Sequence, residues 1–380
     1  MPVNKLVYLA PLKWQSYAQR PHFMMRYLAD TSDVKILWVD PFPARLPKLA
    51  DLSRRHDVYN QGTKAHPDIQ MYSHRPLPIE PLLGCSKLYE TFYLQKIVRA
   101  ILDFVGNDVA ALGIGKPCCL AKMLLEKDIF FTSFYDAMDD YPEFHTGISK
   151  KYISSIMKTV ASGVDQVYAS SHFLENKFRA FNDNVLLVPN GYDGLNLAPG
   201  KNLLQRDMQQ NDTKIIGYVG TIYHWFDWEL VIAIARLFPA VTIKLIGPVL
   251  GHIPSHLPAN IVMLPPCSNE EAMRYMSSFD VGLIPFLKNN ATRAVDPIKY
   301  YEYRALNLPV ISTLFGDMQH KVDDPGLFLV SDTGMGALMP ALESALSYKC
   351  GEDDFSLRLS STWSSRFKEA SILGEYLGRS

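Results

Sequence analysis

A chain of 380 residues is longer than one hydrophobic core usually organises, so two domains are expected. Lys and Arg number 38 against 39 Asp and Glu, a net charge of −1, which excludes the strong positive field of a nucleic-acid binder. Apolar residues make up 48% of the chain, yet no run approaches the roughly 20 residues of a membrane-spanning helix, so the composition is that of a globular protein.

Short apolar runs alternate with amphipathic stretches from the start. The N-terminus MPVNKLVYLAPLKW has no small-residue cleavage site and reads as a first strand over 5–10 rather than a signal peptide. Further strands are predicted over 34–40, 129–136, 165–171 and 184–190, with helices near 16–30, 87–104, 117–126, 149–162 and 171–181. The pattern then repeats, with strands over 214–220, 241–247, 260–265, 280–286, 308–313 and 327–331. Helices near 227–238, 269–278, 297–306 and 333–347 lie between them. Apolar strands alternating with helices predict α/β architecture: two Rossmann-like domains whose parallel sheets face across a cleft. The polar stretch 192–213 is the linker candidate, giving domains of 1–195 and 196–355. Residues 355–377, with Trp363, read as a last amphipathic helix.

Residues 41–85 break the alternation. They hold seven prolines and six Lys or Arg against four acids. The plain reading is a long surface excursion; the functional one is a face for acceptor or for anionic membrane headgroups. Five cysteines show no metal-ligand spacing, and reduced thiols in a cytoplasmic protein are expected.

Chemistry is sought at the C-terminal ends of strands, where ligands bind in such sheets. In IIGYVGTIYHWFDWEL, Gly217 and Gly220 allow close backbone approach, and Asp227 is placed to start the next helix. Loop amides beside a helix N-terminus favour a phosphate, although this is not GxGxxG, and two glycines used for packing are an equal alternative. In DPIKYYEYRALNLPVIST, Pro297 suits a first helical turn, Asn307 stands where the helix should stop, and Lys299 and Glu302 share a face. Together they suit an anion beside a diol. A plain surface ion pair worth ~0.3 kcal/mol is the alternative. His22 and Arg20 lie at the first strand–helix loop. His224, Tyr223, Trp225, Phe226 and Trp228 could serve the core or a sugar, and the sequence does not rank them.

At these residues the chain resembles the GT-B glycosyltransferases. DPIKYYEYRALNLPVIST is similar to their P-x-K-x-x-E-[YF]-x-A-x-G-x-P-V motif, and IGYVGTIYHWFDWELVIAIARLFPAVTIKLIGP to the opening of their donor domain. LVPNGYD resembles the P-N-G-V-D stretch that ends the first domain. YAQRPHFMMRYLAD and YDAMDDYPEF resemble the bacterial members. The resemblance covers nearly the whole chain and points to transferases of bacterial surface polysaccharides, in family 4 and the glucuronosyltransferase-like group.

The resemblance implies the following roles. Residues 1–195 would bind acceptor, 196–355 the nucleotide-sugar, and 356–380 would form a helix crossing back to the first domain. Glu302 would hold the ribose and Lys299 the diphosphate, with the Gly220 and Thr221 amides beside it. Ile222, Phe286 and Ile298 would flank base or ribose, and Arg293 would add charge. Arg20 and His22 would face the acceptor. No metal is implied and no cofactor beyond the nucleotide-sugar co-substrate, with UDP favoured. The acceptor would be a saccharide, lipid-linked, at a peripheral inner-membrane location. Many retaining members carry a second glutamate eight positions before the ribose ligand; here that position is Ala294, which leaves the stereochemical outcome open. Asp139 matches the general base of inverting relatives, with Asp136 the alternative. Three carboxylates at 136, 139 and 140 would raise one another's pKa, as a base requires. A non-catalytic nucleotide-sugar-binding subunit and a nucleotide-sugar epimerase remain as alternatives on the same fold.

Overall fold

The computed structural model describes residues 2–41, 65–74, 80–194, 213–349, 351, 358–374 and 376–377. The chain divides into two compact units, residues 1–189 with 367–380, and residues 190–366. The division falls at Pro189, ahead of the boundary placed at 195, and the stretch read as a linker lies almost wholly outside the described residues.

The first unit is built on seven parallel strands: β1 (Lys5–Leu9), β2 (Lys35–Val39), β3 (Ile69–Tyr72), β4 (Ala110–Ile114), β5 (Thr132–Ala137), β6 (Gln166–Ala169) and β7 (Val185–Leu187). Their order is β3-β2-β1-β4-β5-β6-β7. The order reverses between β1 and β4, which sets the crevice at the C-terminal edge there. β4, AALGI, is buried at every residue. A Cβ at Gly113 would come within 2.6 Å of Phe134 and 2.7 Å of Tyr8, so the glycine lets two flanking aromatic rings close over the strand. The chain's last segment belongs to this unit: Val3 N–H donates to Tyr376 O (2.6 Å), and the Phe367 ring lies 5.7 Å from that of Tyr27. Its described residues, from 358 on, do not form the one continuous helix expected over 355–377. Helical residues 358–360 are separated by a turn from helix Trp363–Glu369, and positive φ angles at Ser371 (47°) and Leu373 (54°) follow its end.

The second unit has six parallel strands: β8 (Ile215–Val219), β9 (Thr242–Ile246), β10 (Ile261–Leu264), β11 (Val281–Ile284), β12 (Val310–Thr313) and β13 (Leu327–Val330). Their order is β10-β9-β8-β11-β12-β13, with the reversal between β8 and β11. Helix Trp228–Leu237 follows β8, and its apolar stripe, Leu230, Val231 and Ile234, packs with Ile243 and Leu283 on one face of the sheet. On the other face Met276, Phe279 and Tyr303 pack with Val310. Two covered faces explain the continuous apolar strands.

Two strands fall where the sequence reading had none, β3 and β4. The helix expected over 87–104 runs as Lys87–Tyr89, a π-helical turn Glu90–Leu94, and Gln95–Val105. Most of the basic, proline-rich excursion 41–85 lies outside the described residues.

Candidate active site

In the second unit the predicted donor residues collect around the β8/β11 reversal. The loop after β8 is knitted to the loop after β9: Gly220 N–H donates to Ile246 O (2.9 Å), Ile222 N–H to Pro248 O (2.9 Å) and Leu250 N–H to Ile222 O (2.9 Å). Gly247 has φ +140°, and a Cβ there would lie 2.2 Å from Gly220 O, so only glycine permits this contact. The Gly220 amide is therefore committed within the fold, whereas the Thr221 amide has no partner among the described residues. Ile222 is buried in the core rather than lining the loop surface, a correction to its expected place beside the base.

The loop after β11 meets the same region. Leu287 N–H donates to Trp225 O (2.7 Å) and Asp227 N–H to Pro285 O (2.8 Å), while the Asp227 carboxylate accepts from Leu230 N–H (3.0 Å) and caps the helix as its position predicted. Phe286 is half-buried, 5.1 Å from the Phe315 ring and 6.1 Å from Tyr218. Arg293 is exposed in the turn that follows. Of the aromatic group, Phe226 is core, Trp225 and Trp228 are half-buried, and Tyr223 and His224 are exposed.

Helix Ile298–Ala305 carries Lys299 and Glu302, which are bonded to each other and each about one-quarter exposed. Sequence reasoning passed over what fixes this helix. The Asp296 carboxylate accepts from Asn190 N–H (2.8 Å), Tyr301 Oη (2.8 Å) and Lys321 Nζ (2.9 Å), and Asn190 Nδ2 donates to Asp296 O (2.7 Å). Asn190 is the Asn of the PNG stretch, which was read only as a domain end. Tyr303 Oη accepts from Val219 N–H (3.1 Å), tying the helix to β8. Arg304 is buried against Asp324 (2.8 Å). At the helix end Asn307 has φ 60°, and Leu308 N–H returns to Tyr303 O (3.0 Å), the left-handed cap that its position predicted.

In the first unit the three aspartates sit at and after the end of β5, in different circumstances. Asp136 is wholly buried; its Oδ1 lies 2.8 Å from Arg20 Nε, and Tyr8 Oη donates to Oδ2 at 3.5 Å. Arg20 Nη1 also donates to Val188 O (2.6 Å). Asp140 is buried and paired with Lys177 at 2.6 Å. Asp139 is half-buried and has no hydrogen bond or ion pair among the described residues. Burial, then the charges of Asp136 and Asp140, push its carboxyl up to about 7. The rings of Tyr135 and Tyr141 are buried nearby; Tyr141 Oη donates to Gly115 O (2.9 Å).

This separates the predicted residues. Asp136 and Arg20 neutralise one another inside the fold, so neither reaches an acceptor. His22 is wholly buried, with Trp14 and Trp38 rings at 5.2 and 4.9 Å. Its Nδ1 accepts from Gln19 N–H (3.2 Å) at the helix start, and burial lowers its pKa to about 4, so it is a neutral packing residue. Of the three aspartates, Asp139 is the one whose carboxylate has no hydrogen bond or ion pair among the described residues.

No family model matches the chain. Among solved structures, sucrose-phosphate synthase from Thermosynechococcus elongatus superposes with a TM-score of 0.69, covering 98% of both chains at 16% identity. Anabaena HepE, in complex with UDP and glucose, gives 0.65 over 99% of this chain and 100% of that one at 12% identity. A UDP-forming trehalose-phosphate synthase from Burkholderia xenovorans gives 0.63 over 99% and 100% at 11% identity. The fold is that of the GT-B glycosyltransferases. In sequence the chain is 23% identical over 334 residues to the Bacillus subtilis (strain 168) protein named "Putative teichuronic acid biosynthesis glycosyltransferase TuaH", covering 81% of this chain and 80% of that one.

Proposed function

We propose that this protein is a glycosyltransferase that moves a sugar from a UDP-activated donor to a saccharide acceptor carried on a lipid, in the assembly of a bacterial surface polysaccharide. The observation that carries the reading is the Lys299–Glu302 pair at the start of a helix tied to the end of β8 through Tyr303 and Val219, the strand whose loop carries Thr221, an amide without a partner among the described residues. A lysine and a helix N-terminus match a diphosphate, and a carboxylate accepts two hydroxyl hydrogens from a ribose. The choice of UDP is supported by the neighbours: HepE is described in complex with UDP and the trehalose-phosphate synthase as UDP-forming. The polysaccharide context is supported by the name of the TuaH relative.

In the proposed reaction Asp139 takes the proton from the acceptor hydroxyl as that oxygen bonds to the anomeric carbon. The bond from that carbon to the diphosphate oxygen breaks, and its electrons leave with the nucleoside diphosphate. Lys299 and the Thr221 amide stabilise the charge that grows there, without a required metal. A single displacement with this base inverts the anomeric centre. The position of the retaining members' second glutamate is here the buried Ala294, which fits.

Calorimetric titration of UDP, GDP, dTDP and ADP into wild type, Glu302→Ala and Asp139→Ala tests the reading. UDP should bind wild type and Asp139→Ala alike and Glu302→Ala at least about tenfold more weakly; no nucleotide binding to folded wild type overturns it. Peripheral contact with anionic lipid is supported by the basic excursion 41–85. Exposed Leu82, Leu88 and Phe92 lie close in sequence to exposed Lys87, Lys96 and Arg99. Failure to cosediment with phosphatidylglycerol vesicles would remove that part alone.

A further inference from the structure

Away from the three aspartates, the first unit gathers a second set of reactive side chains around helix Cys119–Leu125, which follows β4. Glu80 is wholly buried there. Its Oε1 accepts from Cys119 N–H (2.9 Å) and from Tyr152 Oη (2.9 Å), and Tyr89 Oη donates to Oε2 at 3.4 Å. Cys85 Sγ lies 3.8 Å from the same Tyr152 Oη. One carboxylate and one phenol thus bring Cys85 and Cys119 together from separate segments, and the Cys119 thiol donates to the Cys85 sulfur. Both are free thiols. Their surroundings differ. Cys119 is wholly buried, and the hydrogen bond it gives Cys85, then burial, hold its proton in place. Cys85 is half-buried, in the turn after Gly84. The bond from Cys119, then the contact with Tyr152 and the charge of Lys122, lower its pKa against burial and Glu80. A reachable, readily ionised thiol beside a buried, protonated one suits attack by an oxidant on the first and closure by the second.

We propose that Cys85 and Cys119 form a redox site, in which a hydroperoxide oxidises Cys85 and Cys119 then closes a disulfide with it. In the first step the Cys85 thiolate attacks the terminal peroxide oxygen and the O–O bond breaks. The alkoxide that leaves takes up the proton Cys85 has lost, and Cys85 becomes a sulfenic acid. In the second step the Cys119 sulfur attacks the Cys85 sulfur and the S–O bond breaks. The hydroxide leaves with the Cys119 proton as water. The two thiols give up two electrons in all, and the hydroperoxide takes them. A dithiol reductant reverses the change by thiol–disulfide exchange. Glu80 and Tyr152 are positioning residues here: they hold the two cysteines against each other through Cys119 N–H and Cys85 Sγ. The site uses none of the residues assigned to donor or base, so it stands apart from the transferase reading.

The experiment treats the full chain, reduced and freed of reductant, with hydrogen peroxide under native conditions. Thiol counting, intact mass and unreduced peptide maps read the result. Wild type should lose two thiols and the mass of two hydrogens, yield a peptide pair linked through Cys85 and Cys119, and recover both thiols with dithiothreitol. Cys118→Ser should behave in the same way. Cys119→Ser should stop at a sulfenic acid on Cys85, trapped by dimedone, and Cys85→Ser should leave Cys119 reduced. Before any oxidant is added, iodoacetamide at neutral pH should label Cys85 ahead of Cys267, whose thiol is pushed up by burial and by Glu271. Folded wild type that resists peroxide, or that joins Cys85 to Cys118 instead, overturns the proposal. So does dimedone trapped on another cysteine of Cys119→Ser, or Cys267 labelled first. The wild-type map and the labelling order decide the matter even where a variant fails to fold.

Discussion

Arg20 Nε lies 2.8 Å from Asp136 Oδ1, with both side chains out of solvent and 116 residues apart in the chain. The guanidinium also bonds the carbonyl of Val188 at the end of the first unit's edge strand. Removing one partner of such a pair leaves a buried, uncompensated charge, at a cost of about 3–5 kcal/mol. Arg20→Ala and Asp136→Ala should each lower the urea midpoint accordingly. The double variant should cost less than the sum. Additive losses would show that the two side chains act independently.

Glu302→Ala should leave the fold intact, since the side chain is partly exposed and its partner Lys299 stays solvated. Loss of a carboxylate holding a ribose diol should weaken UDP binding by about 1.5–3 kcal/mol, roughly 10- to 150-fold. Lys299→Ala should weaken UDP more than uridine, because the lysine is assigned to the phosphates. Calorimetry with both ligands checks this, and equal losses for uridine and UDP would contradict it.

Gly247→Ala places a Cβ 2.2 Å from Gly220 O at a φ of +140°. Neither strain can be relieved by moving a flexible side chain. The loop after β8 must shift, so donor affinity should fall while the sheet, built on β8 and β9 below it, persists. Far-UV circular dichroism with nucleotide titration separates the two effects; unchanged affinity would show that the loop does not touch the donor.

The raised pKa of Asp139 acts on stability and on rate in opposite directions. Its folded-state carboxyl titrates near 7, above the ordinary value of about 3.9 in an unfolded chain. The folded state therefore binds the proton more tightly. This group's contribution to stability is fully present below about pH 4 and is lost as pH rises through 7. Transfer, which needs the ionised base, should instead rise with pH up to about 7. Asp139→Asn should flatten the stability slope between pH 4 and 7 and abolish transfer at every pH. Urea melts across that range check the first statement.

Much of this was legible in the residues themselves. Asp227 as a helix cap and Asn307 as a helix stop follow from local chemistry, and the alternation of apolar runs follows from sheets covered on both faces. β4 escaped because Ala-Ala-Leu-Gly-Ile lacks β-branched or aromatic character until its last residue; its fit depends on Tyr8 and Phe134, which no local window contains. The roles of the three aspartates were hidden for the same reason. Asp136, Asp139 and Asp140 look alike in sequence, and partners such as Arg20 and Lys177, brought in by other helices, make them different. His22 and Arg20 stand at a loop where ligands often bind, yet burial turned both inward. The Gly220 amide, expected at a phosphate, was already taken by Ile246.

Asn307 sits where the related motif has glycine, and it pays for a left-handed backbone that glycine would adopt freely. In return its carboxamide oxygen accepts from Arg358 Nη1 at 3.1 Å, a latch that a glycine has no atom to make. The helix bearing Lys299 and Glu302 is thus fastened at its far end to a segment 51 residues downstream. Asn307→Gly would ease the turn and cut that latch at once. Two nearly cancelling effects would hide the change from a melting curve, while amide exchange around Leu306 and Leu308 would reveal it.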